Sequence, residues 1–239
     1  MRFILITACA AALVIGGMAP AGAQGETGDG YSINLQMGFG WAHNIMLADW
    51  MNRWRDIFEP TVGVNRDEEQ EENSVLYSGF DIEPRMHSGN LVYSLSVGYH
   101  NVLNGKRKVT GNLGTMKIES DLTYISIKAT ALYRIALSSG NCFLLGGGLG
   151  YYRPTLTLDY SNTATGTYFS REGTGWTIGW HTQFEYNIAF GNVNVSLGVL
   201  SRFAECWNLE VEDQNGDELY DQGVSLTGIY FYVGAGYMI

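Results

Sequence analysis

The chain has 239 residues and a formal net charge of −10, with 13% aromatic and 16% charged residues, 31 glycines and only 4 prolines. An acidic chain without a basic stripe is no partner for nucleic acid. Much Gly and aromatic residue with little Pro is the composition of strands joined by polar loops. Beyond the N-terminus nothing reaches the ~18 apolar residues of a spanning helix, so any crossing of a membrane is made by strands.

At the N-terminus Arg2 precedes an apolar run from Phe3 to Ile15, and Ala21-Gly22-Ala23 is a small-x-small cleavage site. Residues 1–23 therefore read as a signal peptide cut near Ala23, and residues 24–30 as a short periplasmic segment before a barrel domain over 31–239.

The first strand runs from Tyr31 to Trp41, with Tyr31, Ile33, Leu35, Met37, Phe39 and Trp41 on one face and Ser32, Asn34, Gln36, Gly38 and Gly40 on the other. Its length suits a tilted membrane strand. The connection that follows carries Leu47, Trp50, Met51, Trp54, Ile57 and Phe58 at helical spacing, with Arg53 and Arg55 beside them and Pro60 as a stop. This 44–58 segment is an amphipathic helix suited either to the outer leaflet or to the barrel mouth as a lid. The run Asp67 to Glu72 after it is expected to be a solvated loop tip.

The second strand, Gly79 to Met86, alternates Phe80, Ile82, Pro84 and Met86 with Asp81, Glu83 and Arg85, and His87 to Asn90 reads as a tight turn. The third carries Leu91, Tyr93, Leu95, Val97 and Tyr99 against Ser94, Ser96, Gly98 and His100, before a loop holding Lys106, Arg107 and Lys108. The fourth, about 122–135, sets Ile125, Ile127, Ala129, Ala131 and Tyr133 against Tyr124, Ser126, Lys128, Thr130 and Arg134. The fifth starts at Cys142 and places Phe143, Leu145, Leu149 and Tyr151 opposite Gly146, Gly148, Gly150 and Tyr152, with Leu144 out of place on the polar row.

The sixth strand alternates Trp176, Ile178, Trp180, Phe184, Tyr186 and Ile188 with Thr177, Gly179, His181, Gln183, Glu185 and Asn187. After the Gly191-Asn192 turn, the seventh sets Val193, Val195, Leu197, Val199 and Phe203 against Asn194, Ser196, Gly198 and Arg202. The eighth, Ile229 to Ile239, alternates without error. Connections run long, short, long, short, long, short, long, which puts four long loops at one end and three tight turns at the other, the asymmetry of outer-membrane barrels.

A soluble barrel alternates as well, with its apolar row inside. Volume decides between the two, because an eight-stranded barrel has room inside only for its own side chains. A row holding Phe39, Trp41, Tyr93, Tyr99, Tyr133, Trp176, Trp180 and Phe184 is too bulky for that space, and Lys or Arg facing mid-bilayer lipid costs roughly 2 to 4 kcal/mol. Arg85, Lys128, Arg134 and Arg202 all fall on the other row, with Asp81, Glu83, Glu185 and His181.

In this architecture, in the run from Asp121 to Lys128 with the Gly-rich strand after it, and in its C-terminal alternation, the chain resembles the small eight-stranded bacterial outer-membrane β-barrel superfamily (OmpA/OmpX-like; outer membrane protein beta-barrel domain). The likeness covers Tyr31 to Ile239 and implies an all-β, antiparallel, up-and-down transmembrane barrel with extracellular long loops. The chain departs from the pattern in ending on Ile239, where such proteins usually end on an aromatic residue. The resemblance implies an integral, porin-like protein of the bacterial cell outer membrane, whose partners are lipopolysaccharide, phospholipid and the barrel-insertion machinery.

Possible chemistry is sparse. The inward charges read as a salt-bridged plug, not a conduit lining. His181 and Glu185 share a face but stand about 13 Å apart, beyond hydrogen-bond reach, and the Ser that lipid deacylases of the wider barrel class place two residues after the His is Gln183 here. Asp213 to Asp217 resembles the start of a calcium loop, yet Glu218 and Val224 occupy the positions that need Gly and Glu; Asn215-Gly216 suits a hairpin turn between strands that extend past the membrane. Cys142 and Cys206 are expected at opposite ends of the barrel, about 25 Å apart and without a disulfide. No catalytic, cofactor-binding or metal residue is assigned, and no cofactor. The expected role is non-catalytic, structural or surface-interacting through the loops. The alternatives are a narrow conduit for small apolar molecules, signalled by the inward Leu132, Leu144 and Leu200, or, third, a lipid-modifying enzyme.

Overall fold

The computed structural model describes residues 29–43, 52, 55–57, 59–63, 67–70, 74–137, 140–212 and 222–239. Residues 1–23, expected above to be a signal peptide, most of the 44–58 segment and the Asp213–Asp217 run lie outside these. The strands are β1 (Gly30–His43), β2 (Asp67–Gln70), β3 (Ser74–Ser88), β4 (Leu91–Gly111), β5 (Gly114–Ala136), β6 (Cys142–Asn162), β7 (Thr167–Thr174), β8 (Thr177–Phe190), β9 (Val193–Phe203), β10 (Glu205–Glu212), β11 (Gln222–Ser225) and β12 (Gly228–Met238).

Eight of them close a ring, each antiparallel to its neighbours: β1, β3, β4, β5, β6, β8, β9 and β12, with β12 returning to β1 from Ser32↔Met238 to Ala42↔Gly228. The other four are continuations. β7 and β8 pair with successive stretches of β6, β10 carries β9 upward beside β7, and β11 leads into β12. The interruptions at Gly175-Trp176, Ala204 and Leu226-Thr227 thus lie side by side on adjacent strands. Their free backbone groups are recovered locally: Gly175 N–H donates to the Pro154 carbonyl at 3.2 Å, and Leu226 N–H to that of Ala204 at 2.8 Å.

Below this line the molecule is a membrane barrel. Tyr31, Tyr93, Tyr133, Phe143 and Tyr237 form an outward girdle at the tight-turn end, and Phe39, Trp41, Tyr99, Tyr151, Trp180, Phe203 and Phe231 form another at the loop end. The ten steps from Tyr31 to Trp41 on a tilted strand span about 25 Å, the height of an outer-membrane apolar band. Between the girdles Leu35, Leu95, Ile127, Leu149, Leu197 and Val233 face outward, and Asn34, Ser96, Lys128, Ser196 and Glu185 face inward.

Above the line the polarity reverses. β4, β5 and β6 run for 21, 23 and 21 residues, twice the membrane's requirement. Their upper halves, with β7, β10 and β11, turn Val109, Met116, Ile118, Leu156, Leu158, Tyr160, Leu209 and Val224 inward as one apolar cluster. Lys117, Glu119, Asp121, Asp159 and Glu172 lie on the opposite parity, at the surface. Outside lipid the exterior solvent is water, so the hydrophobic effect draws the apolar row in.

Three expectations need correcting. Asp67–Gln70 is a strand where a loop tip was expected, and its register sets Glu69 opposite Lys108 and Gln70 opposite Arg107. Lys106 to Lys108 consequently lie within β4. His87 belongs to β3 and faces inward, leaving Gly89-Asn90 as the turn, with Gly89 at φ 57°. Where the first connection returns, the 3-10 turn Glu59–Val62 docks on the mouth. Val62 is fully buried in the loop-side cluster, its carbonyl accepts from Leu113 N–H at 3.0 Å, and Thr61 Oγ1 accepts from Asn162 Nδ2 at 2.7 Å. Residues 59–62, just past the 44–58 segment, thus pack against the β4–β5 turn and the end of β6. Ile57 beside them is 65% exposed, and Arg55 pairs with Asp56 at 2.7 Å.

Candidate functional site: the filled lumen

The lumen is built in layers, each from strands whose alternation turns one residue in two inward. At the tight-turn end Val92, Leu132, Cys142 and Leu144 form a small apolar cap, which explains the misplaced Leu144. Arg134 is half-buried at this end.

Next comes a charged layer. Arg85 grips Glu185 with both terminal nitrogens, Nη1 to Oε1 and Nη2 to Oε2 at 2.7 Å each, and Nη2 also donates to Glu83 at 2.7 Å. Gln36 donates to Glu83, Asn187 to Glu185, and the Tyr232 hydroxyl to Glu185 at 2.7 Å. Gly198 makes room for that tyrosine, since a Cβ there would collide with its ring. At the same depth Ser32 Oγ and His87 Nε2 share a hydrogen bond of 2.9 Å, with Asn34 Nδ2 donating to the same Oγ at 3.1 Å.

One layer higher Lys128 Nζ lies 2.8 Å from Asp81, and His100 lies 3.5 Å from it. Thr130 Oγ1 and His181 Nε2 share a bond of 2.9 Å. Above them Arg202 crosses the lumen beneath the strand interruptions. Its guanidinium lies 5.2, 4.6 and 5.4 Å from the ring centres of Tyr77, Tyr124 and Tyr152, and donates to the Tyr124 hydroxyl and the Leu226 carbonyl. Cation–π contact and a free strand carbonyl stand where a carboxylate partner is usual.

In the membrane half of the lumen the buried carboxylates Asp81, Glu83 and Glu185 are thus balanced by the buried cations Arg85, Lys128 and Arg202, of which Arg85 and Lys128 contact a carboxylate and Arg202 faces tyrosines. With ion pairs and polar side chains inside and aromatic girdles outside, only a bilayer fits the exterior. The chain folds as an eight-stranded transmembrane β-barrel.

No family model matches it, and no curated protein matches it in sequence. Similar solved structures include Neisserial surface protein A, at 12% identity and a TM-score of 0.44 over 88% of this chain and 98% of that one. A major outer membrane protein from Thermus thermophilus shows 10% identity and 0.47 over 88% and 99%. Outer membrane protease OmpT from Escherichia coli shows 12% and 0.45 over 88% and 97%. At these identities the likeness is one of fold and carries no activity to this chain.

Of the inward residues picked out in the sequence, Asp81, Glu83, Arg85, Lys128, Glu185 and Arg202 are buried in the lumen, as are His100 and His181. Glu185 bonds to Arg85 and not to His181. Two hydroxyl–imidazole pairs, Ser32–His87 and Thr130–His181, escaped the sequence reading. Carrying the inward row of β3, Asp81, Glu83, Arg85, one step further would have found His87. A nucleophile–base pair also needs a group to orient the base, and the Nδ1 atoms of His87 and His181 have no hydrogen-bond partner. The geometry therefore packs these pairs as polar filling.

Proposed function

We propose that the protein is a non-catalytic, non-conducting barrel that anchors a rigid loop-side β-structure outside the membrane, serving a structural or surface-interaction role. The supporting observation is the Arg85–Glu83–Glu185 cluster, buried to 2% exposure or less in mid-lumen. A water-filled pore would leave these groups wet, whereas here one guanidinium binds both carboxylates directly, and Lys128 and Arg202, counted with Asp81, bring the buried lumen charges into balance. The test is reconstitution in planar bilayers. Silence is expected, and steady porin-sized steps would overturn the proposal.

A second reading, a conduit for small apolar molecules, draws on the loop-side interior. Leu122, Leu156, Ala204 and Leu226 pack as apolar side chains above Arg202. Such a route ends at the Arg202–tyrosine layer, because an apolar solute gains nothing from entering the charged layers below.

A further inference from the structure

β12 closes the ring between β9 and β1, and one row of the register runs Asn194↔Gly236↔Asn34, with Glu83 next to Asn34 on β3. All four lie on the inward parity. Gly236 has no side chain, and its neighbours lean over it from both sides: a Cβ there would lie 1.9 Å from Asn34 Oδ1 and 2.1 Å from Asn194 Oδ1. Hydrogen bonds fix which end of each amide points there. Asn34 Nδ2 donates to Ser32 Oγ at 3.1 Å and to the Glu83 carbonyl at 3.4 Å. Asn194 Nδ2 donates to Asn187 Oδ1 at 3.2 Å, and the Asn187 amide nitrogen is itself committed to Glu185. With both nitrogens engaged elsewhere, the two oxygens meet over the glycine. Asn194 Oδ1 is buried and accepts from no donor among the described residues.

We propose that these two oxygens hold a hard monovalent cation, sodium or potassium, which staples β9 to β1 across the closing strand. Two amide oxygens brought together repel unless something positive stands between them, and oxygen is the ligand that hard cations take. The charge of the layer agrees. Arg85 answers two carboxylates, Glu83 and Glu185, which leaves one negative charge over. Lys128 and Asp81 above pair with each other, and Arg202 lies higher still among its tyrosines. Arg134, the other cation at the tight-turn end, is half-buried on β5, on the opposite side of the ring from β12. A single positive charge therefore completes the layer, whereas a divalent ion would leave it positive in a dry interior. Asn194 is only half-buried, so the ion has a way in from the tight-turn end.

The barrel, reconstituted in phospholipid vesicles, is unfolded by urea in sodium, potassium or N-methylglucamine chloride at one ionic strength. The organic cation screens charge as the others do but is too large for the site. Sodium or potassium should slow unfolding relative to it, by an amount that grows with their concentration. Asn194→Ala, which removes one of the two oxygens, should abolish the difference between the salts. Asn194→Asp keeps an oxygen and adds a charge, and should shift the preference from sodium to calcium. In crystals of the unaltered protein soaked in rubidium chloride, an anomalous peak should stand in contact with both Asn34 Oδ1 and Asn194 Oδ1. Equal unfolding rates of the wild type in all three salts would mean that a water bridges the two oxygens, and would overturn the proposal. So would a salt difference that survives Asn194→Ala unchanged. Should that variant fail to fold, the rubidium map decides, and a map without the peak overturns the site.

Discussion

Arg85 and Glu185, a hundred positions apart in sequence, meet as a two-pronged ion pair in the middle of the barrel, both nitrogen–oxygen distances being 2.7 Å. Arg85 is also the cation that answers Glu83. Its removal would leave two carboxylates facing each other in a dry interior, while loss of Glu185 leaves Arg85 with Glu83. Arg85→Met is therefore expected to lower stability by about 3 to 5 kcal/mol, and Glu185→Gln by less. Reversible denaturant unfolding into phospholipid measures both. The reverse order would mean that Glu83 is not held by Arg85.

Neighbouring residues on β9 test which side faces lipid. Leu197 is 51% exposed and Ser196 2%. Leu197→Arg should cost roughly 2 to 4 kcal/mol in bilayers. Ser196→Asn adds volume but finds hydrogen-bond partners inside, and should cost less. Tolerance of the first with failure of the second would exchange the two faces.

The Gly198–Tyr232 contact offers a packing test. A methyl group at Gly198 displaces the tyrosine ring and with it the hydroxyl bond to Glu185, so Gly198→Ala should cost about 1 to 3 kcal/mol. Combining it with Tyr232→Leu, which removes the obstructing ring, should make the glycine substitution nearly neutral in that background. An equal penalty in both backgrounds would show that the ring is not the obstacle.

Cys142 and Cys206 are both buried and unpaired, the first in the tight-turn cap and the second in the loop-side cluster. Burial also pushes the Cys206 thiol above its ordinary pKa, leaving less of the reactive thiolate at neutral pH. Maleimide should label neither site in folded protein and both after unfolding, without prior reduction. Labelling of the folded form, read by mass, would show that the interior opens to water on the reagent's timescale.

All eight membrane strands and their inward rows were legible in the sequence, because lipid outside and a narrow lumen inside force strict alternation. The loop-side half was not. On β5 the apolar positions are Met116, Ile118 and Leu122, then Ile125, Ile127 and Ala129, so the pattern changes parity between Leu122 and Ile125 while the backbone continues unbroken. A reader who assumes lipid outside takes that change for the end of the strand. It marks the membrane surface. The acidic run at Asp67–Gln70 was hidden for a similar reason: its charges suit a loop, and only the register with β4, which sets it across from residues 107–110, shows it to be a strand. The lumen's charges could be listed but not matched, since partners such as Arg85 and Glu185 sit on strands that the ring, not the sequence order, brings face to face.

The reversal of polarity along β4, β5 and β6 means that one continuous sheet is held by two solvents. Lipid or detergent tails hold the lower wall, whereas the upper wall is held by water, as in a soluble protein. Exchanging the bilayer for a micelle therefore changes the environment of only half the molecule. A denaturant that acts through water reaches the other half first, so loss of the loop-side core is expected to precede loss of the barrel beneath it, with Arg202 at the boundary between the two transitions.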